Sequence, residues 1–200
     1  MSDDPRKRRP GRPKTVDRQR AIEFAMDSYW REGAHTLSLN EVCRRANLSK
    51  PSLYREFGGA DGLMKAALDH YNEQVVEPVL AALAAERPFA ELVELLLIGM
   101  TSDSGAPAGC MFTELRLARS RLGPETSARV RSMEQRRYDA FEDWYRRALA
   151  RGEVDASIAP ELAARYIDTQ LATVLSQLGA GEAPELVLQQ ARLAFRTLNG

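Results

Sequence analysis

Between positions 49 and 57 the chain reads Ser49-Lys50-Pro51-Ser52-Leu53-Tyr54-Arg55-Glu56-Phe57. Lys50 and Arg55 can donate to guanine edges or phosphates, and the hydroxyls of Ser52 and Tyr54 suit phosphate oxygens. Leu53 and Phe57 are four apart, so on a helix they share an inward face and leave the polar set outside. Pro51 fits the first turn of such a helix, where backbone N–H groups have no helical partner. The chemistry on offer is recognition of a polyanion rather than bond making. The sequence has no Gly-x-Ser-x-Gly elbow, P-loop, dinucleotide fingerprint or His-Glu-x-x-His motif, so an enzyme is not expected. Its two histidines, His35 and His70, stand alone, and its two cysteines, Cys43 and Cys110, are too few for a disulfide framework. No Cys or His cluster has metal-ligand spacing, so neither a metal nor a cofactor is expected.

Charge distribution agrees with a polyanion at one end. The 200-residue chain has zero formal net charge, yet residues 1–55 carry 13 Lys/Arg against 7 Asp/Glu. The remainder is acidic by the same margin. A basic head on an acidic body suits a protein that meets nucleic acid at one end. No apolar run reaches the ~18–20 residues of a membrane span, and the polar start Met1-Ser2-Asp3-Asp4 does not read as a signal peptide. A cytoplasmic protein with no membrane partner is expected.

The elements that position the recognition stretch are helical. Apolar residues recur at three- and four-residue spacing nearly throughout, and period-2 alternation is absent, which predicts an all-α protein of about nine helices. A first helix over about 16–32 buries Ile22, Ala25, Met26, Tyr29 and Trp30. Ser38-Leu39-Asn40-Glu41 forms a capping box that starts a short second helix over about 39–46. Asn47 tolerates the left-handed turn, and Ser49 caps the third helix, which ends at Phe57 before Gly58-Gly59. Asp61 caps a fourth, which Pro78 kinks or breaks. Helices follow over about 89–100, 110–120, 124–151, 160–178 and 184–198. Two short helices, a tight turn and an outward polar face make the geometry that sets one helix in a DNA major groove.

On these residues the chain resembles the TetR/AcrR family of bacterial transcriptional regulators. The matching text is Gly11-Arg12-Pro13, Ala21-Ile22, Phe24-Ala25, Trp30-Arg31-Glu32-Gly33, Thr36, Ser38-Leu39 and Leu48-Ser49-Lys50-Pro51-Ser52-Leu53-Tyr54, then Phe57-Gly58. The resemblance implies a repressor that binds a palindromic double-stranded operator as a homodimer and is released by a small-molecule effector. It implies that Ser38 and Tyr54 meet phosphates, and that Lys50, Pro51 and Ser52 face bases or backbone. Gly62 stands where the family often carries a phosphate-touching Lys, so that contact is expected to be lost. The implied organisation is a basic arm over 1–15, a helix-turn-helix unit over 16–60 and a ligand-binding and dimerisation unit over 61–200. A nucleoid-coating protein that binds DNA without sequence preference is the other nucleic-acid reading.

Two further expectations concern the ends. Lys7-Arg8-Arg9-Pro10-Gly11-Arg12-Pro13-Lys14 resembles AT-hook motifs, whose Pro and Gly keep the chain narrow while Arg enters an A·T-rich minor groove. Arg9, Arg12 and Lys14 therefore join the DNA-contact set. In the C-terminal half, Phe141, Trp144 and Tyr145 at helical spacing, with Met100, Cys110, Phe112, Tyr166 and Gln170, are the candidates for an effector cavity. Dimerisation is expected through the last two helices, on a face carrying Leu162, Tyr166, Leu188 and Phe195. Cys110 heads a helix, but no second cysteine is near in sequence, so a redox switch is not expected.

Overall fold

The computed structural model describes residues 17–33, 39–46, 48–102 and 109–199. Its helices are α1 (Arg18–Glu32), α2 (Leu39–Arg45), α3 (Lys50–Phe57), α4 (Ala60–Tyr71), α5 (Glu77–Ala82), α6 (Phe89–Thr101), α7 (Met111–Leu117), α8 (Pro124–Ala150), α9 (Pro160–Gly179) and α10 (Pro184–Phe195). A π-helical stretch, Asn72–Val76, joins α4 to α5 without a break, so the described residues form nine rods. The fold is all-α, as the spacing predicts.

Pro78 does not break its helix. A proline lacks an N–H and crowds the carbonyl four residues back, here that of Gln74. That residue lies inside the π-helical stretch, where the wider winding takes up the mismatch. The helix therefore runs on through Ala82.

The first three helices pack around Ala25, Val42 and Leu53, all fully buried. Asp17 caps α1 by accepting from the Arg20 N–H at 3.1 Å. The buried stripe of α1 is Ala21, Ile22, Ala25, Ser28 and Tyr29. Met26 and Trp30, expected in that stripe, are only half-buried against the core. Arg45 ties α2 to α1 through Glu32 at 2.5 Å, and Glu41 pairs with Arg44 and Arg45. Those guanidinium hydrogen bonds hold the Glu41 carboxyl down at about 2.

Helix α8 is the axis of the second half. Its inward stripe is Thr126, Val130, Met133, Arg137, Phe141, Trp144, Tyr145 and Ala148. It runs in the same direction as α4 and α5, and polar clamps join them along their length. Asp61 meets Thr126, Asp69 meets Arg129 at 2.5 Å, Glu77 meets Arg136 at 2.5 Å, and the Leu83 carbonyl accepts from Arg147 at 2.6 Å. Asp168 of α9 is nearly completely buried and accepts from Arg116 of α7 at 2.5 Å and Arg137 of α8 at 2.7 Å. An antiparallel bridge between Val154 and Asn199 fastens the C-terminus beside the α8–α9 connection. No helix among the described residues is long and apolar enough to cross a membrane.

Candidate functional site

The recognition stretch forms as its residues dictate. Ser49 is the N-cap of α3, accepting from the Ser52 N–H at 3.2 Å, and Pro51 sits in the first turn. Gly58 closes the helix in the left-handed conformation at φ 74°, its N–H bonded to the Tyr54 carbonyl. Leu53 and Phe57 are buried, anchoring one face. Burying a side chain of that size contributes roughly 1.5–3 kcal/mol. Arg18 lies over the Phe57 ring at 5.2 Å and fixes the entry of α1 against the end of α3.

The opposite face is open. Lys50, Pro51, Tyr54 and Arg55 are exposed and Ser52 half-exposed, with Tyr54 at 60%. Among the described residues, Lys50 and Tyr54 have no hydrogen-bond or ionic partner, while Arg55 pairs with its neighbour Glu56 at 2.9 Å. This face offers an ammonium, a guanidinium and two hydroxyls to something outside the chain. Arg9, Arg12, Lys14, Ser38, Asn47 and His35 lie outside the described residues.

A Cβ at position 62 would stand 1.7 Å from the Phe57 carbonyl oxygen. Position 62 therefore has no room for the expected family lysine: the end of α3 occupies the space. Asp61 likewise departs from its expected part. Helix α4 begins after Gly59 with no side-chain cap. Asp61 instead crosses to the N-terminus of α8, accepting from the Glu125 N–H at 2.8 Å, the Thr126 N–H at 3.1 Å and the Thr126 hydroxyl at 2.5 Å. Burial alone would raise this carboxyl, but the Thr126 and backbone hydrogen bonds hold it below the ordinary aspartate value.

A cavity of about 770 Å³ lies between α1, the α4–α5 rod, α6 and α9. Its wall is mainly apolar, including Val75, Val79, Leu92, Leu96, Met100 and Leu175, with Trp30 and Tyr71 as its aromatic members. Those two rings meet edge to face at 4.9 Å. The Trp30 N–H donates to the Gly109 carbonyl at 3.3 Å, and the Tyr71 hydroxyl to Cys110 Sγ at 3.4 Å. Burial pushes the Tyr71 phenol well up.

The comparisons with known proteins agree on one family. Residues 21–67 match the family model described as bacterial regulatory proteins, tetR family. Over 108 residues the chain is 32% identical to the HTH-type transcriptional repressor ComR of Escherichia coli K12, spanning 52% of this chain and 51% of that protein. It is 34% identical to the repressor BdcR of the same organism, spanning 52% and 55%. The chain thus spans about half the length of the curated relatives it matches. The structure superposes on a cysteine-substituted CifR, a TetR family transcriptional regulator complexed with 26bp double-strand operator DNA. That match has a TM-score of 0.76 and 28% identity, covering 94% of this chain and 100% of that one. Residues 21–67 thus match the N-terminal model of the TetR family, and the described fold is the one that TetR family regulators share. The reduced form of Escherichia coli NemR, at 14% identity and TM-score 0.78, shares the fold.

The sequence places the recognition helix more closely than the cavity. Of the eight residues expected there, Met100 lines it and Cys110 sits behind its wall, bonded to Tyr71. Phe112, Phe141, Trp144 and Tyr145 are fully buried core residues away from it. Phe112 and Phe141 pack under the Arg137 guanidinium, at 5.0 and 5.5 Å. Trp144 stacks on Phe89, and Tyr145 donates to the Asp155 carbonyl at 2.9 Å. Tyr166 donates to the Ala194 carbonyl at 2.9 Å, joining α9 to α10, and half-buried Gln170 is absent from the wall. Trp30, Tyr71 and the π-helical Val75 line the cavity without standing among the residues expected there.

The outward face of the last two helices also differs from expectation. Leu162 is exposed as expected, but Phe195 is buried and Tyr166 and Leu188 half-buried. Leu186 and Leu193 are the large apolar side chains that α10 presents, at 49% and 65% exposure.

Proposed function

We propose that the chain is a sequence-specific DNA-binding regulator, a dimeric repressor that occludes an operator and is released when a small molecule fills the cavity. The observation that carries this reading is α3 itself. Its apolar face is buried, and its opposite face carries Lys50, Tyr54 and Arg55 into solvent. Lys50 and Arg55 reach base edges or phosphates, the Tyr54 and Ser52 hydroxyls meet phosphates, and Pro51 packs against the backbone. Ser38 meets a backbone phosphate. Arg9, Arg12 and Lys14 of the 1–15 arm reach the flanking minor groove. The helix-turn-helix unit is 16–60 and the effector and dimerisation unit 61–200. No step makes or breaks a covalent bond, and the protein works in the cytoplasm.

One helix reads only a few base pairs, so a pair of copies docked on a pseudo-palindrome supplies useful specificity. The uncharged outward stripe of α9 and α10, with Leu162, Leu186 and Leu193, is the surface two copies would share. The cavity supports release because its walls belong to the DNA-reading scaffold. Trp30 stands on α1 and Tyr71 on α4; α3 packs on α4, and Arg18 of α1 lies over its Phe57 ring. A ligand that spreads the Trp30–Tyr71 contact shifts the angle at which α3 is presented.

Selection of duplexes from a random pool by the full-length chain tests the reading, followed by competition with bulk DNA. A recovered pseudo-palindrome held ~10³–10⁷ tighter than random DNA is the expected result. Equal binding to all sequences would establish a nucleoid-coating protein instead. A light-scattering mass of one chain at micromolar concentration would remove the dimer.

A further inference from the structure

We propose that Arg18, held over the Phe57 ring, is a preorganised contact for a DNA backbone phosphate at the C-terminal end of the recognition helix. The inference rests on reading α3 as the DNA-reading helix, and it adds a residue of α1 to the surface that meets the duplex.

The placement follows from α3. Its eight residues make a rod of about 12 Å, close to the ~12 Å width of the major groove. With Lys50, Tyr54 and Arg55 seated in the groove, the two ends of α3 stand near its two sugar-phosphate walls. Lys50 opens one end. Phe57 closes the other, three residues past Tyr54 and so beside it on the helix surface. The Phe57 side chain is buried, and Arg18, itself exposed, lies over its ring with Cζ 5.2 Å from the centroid. Position 62 cannot supply a cation here, because a Cβ there would stand 1.7 Å from the Phe57 carbonyl oxygen. The cation at this corner comes from α1.

The way Arg18 is held makes it ready for an anion. Arg31, Arg44, Arg45 and Arg55 of the same three helices are each paired with a carboxylate, with which a phosphate would have to compete. Arg18 is placed instead by an aromatic face, which attracts the whole cation and leaves its planar fork of N–H donors for a bidentate acceptor. The carboxylate next to it in sequence, Asp17, accepts from the Arg20 N–H at 3.1 Å as the cap of α1. A side chain fixed before binding loses little freedom on contact.

Arg18→Gln, Arg18→Lys and Phe57→Leu in the full-length chain test this by fluorescence anisotropy over a range of salt, on the selected duplex and on a shuffled duplex of the same length. Arg18→Gln should lower affinity for both about tenfold at ~0.1 M salt, because a phosphate contact carries no sequence information. It should also flatten the plot of log affinity against log salt by about 0.9 per copy. Arg18→Lys keeps the charge and loses the fork, so it should keep the wild-type slope with an intermediate affinity. The loss caused by Arg18→Gln should be smaller in a Phe57→Leu background, since the ring acts through the guanidinium. An unchanged slope in Arg18→Gln overturns the proposal even if affinity falls, because a purely structural role does not change counterion release. So does a loss confined to the selected duplex, an Arg18→Lys slope as flat as that of Arg18→Gln, or full additivity with Phe57→Leu. The regulator reading fails separately. If selection recovers no preferred sequence while Arg18→Gln still flattens the slope on random duplexes, the phosphate contact stands and sequence-specific repression does not. A wild-type chain that binds no duplex removes both.

Discussion

The recognition helix and the interior of the C-terminal half use the same kinds of side chain to opposite ends. On α3, Lys50 and Tyr54 face solvent without partners among the described residues. In the C-terminal half, Arg116 and Arg137 converge on one buried aspartate, Asp168. An open donor costs nothing where water can serve it, and it is ready for a phosphate. A buried donor must be satisfied at once or the fold loses stability. The difference teaches where each region's function lies. Removing a polar group from α3 should cost binding and spare stability, and removing one from the interior should do the reverse.

The largest effect should come from Asp168→Ala. It leaves Arg137 and Arg116 facing each other without their shared carboxylate, in a site where Asp168 is 2% exposed. Breaking a buried pair in this way costs about 3–5 kcal/mol, read as a lowered urea midpoint. A loss below ~1 kcal/mol would mean that water enters the cluster and that the interior is not as closed as the geometry states.

Lys50→Ala and Tyr54→Phe make the opposite test. Each should leave stability within ~0.5 kcal/mol, since exposed substitutions rarely exceed that. Each should weaken binding to the selected duplex, by about 0.5–1.5 kcal/mol for the single hydroxyl of Tyr54 and more for the charge of Lys50. Fluorescence anisotropy beside circular dichroism separates the two quantities. An unchanged affinity with an unchanged spectrum would assign the DNA to another face.

Asp61 lies between these extremes, linking the start of α4 to the first turn of α8. Losing its cap of α8 with Asp61→Ala should cost about 1 kcal/mol, in the range of other helix caps. The contribution depends on charge. The folded carboxyl titrates below the ordinary aspartate value, so its stabilisation is complete above about pH 4. It disappears as pH falls through the folded value. The difference in stability between wild type and Asp61→Ala should therefore shrink on acidification, and a difference independent of pH between 2 and 7 (approximate bounds of the titration) would show that the carboxylate is not the cap.

How far the sequence speaks depends on the distance between partners. Ser49, Pro51, Leu53, Phe57 and Gly58 were legible because each acts within four residues, as cap, first turn, inward stripe or stop. The family resemblance also lay in this stretch. The sequence makes Asp61 the cap of its own helix, because a local cap is the nearest use for an aspartate before an apolar run. Its true partner is 64 residues on. Phe112, Phe141, Trp144 and Tyr145 illustrate the second limit. Helical spacing states that these side chains face inward, but not whether a ligand or an arginine waits there. The cavity instead takes its wall from α1, α4, α5, α6 and α9, helices whose proximity no periodicity reveals. Pro78 shows the third limit. The proline was visible, but the π-helical stretch that absorbs it was not, because its cause lies in the backbone path rather than in any one residue.

The smallest effect is a pair of glycines, one in each region, where the same substitution should act with opposite sign. An added Cβ meets nothing within 4 Å at Gly58 or at Gly99. Space is therefore not what separates them. Gly58 closes α3 at φ 74°, where an L side chain crowds the following carbonyl, so Gly58→Ala should destabilise by about 1 kcal/mol. Gly99 lies within α6 with no positive φ, and glycine in a helix interior is less favourable than alanine by about 0.8–1 kcal/mol. Gly99→Ala should therefore raise the denaturation midpoint by nearly as much as Gly58→Ala lowers it. The functional consequences should cross as well. Gly58→Ala should disturb the end of the recognition helix and weaken duplex binding. Gly99→Ala should leave duplex binding intact and trim the cavity by one methyl. If Gly99→Ala destabilises, the open space beside it belongs to the packing of α6, and the cavity is smaller than its 770 Å³.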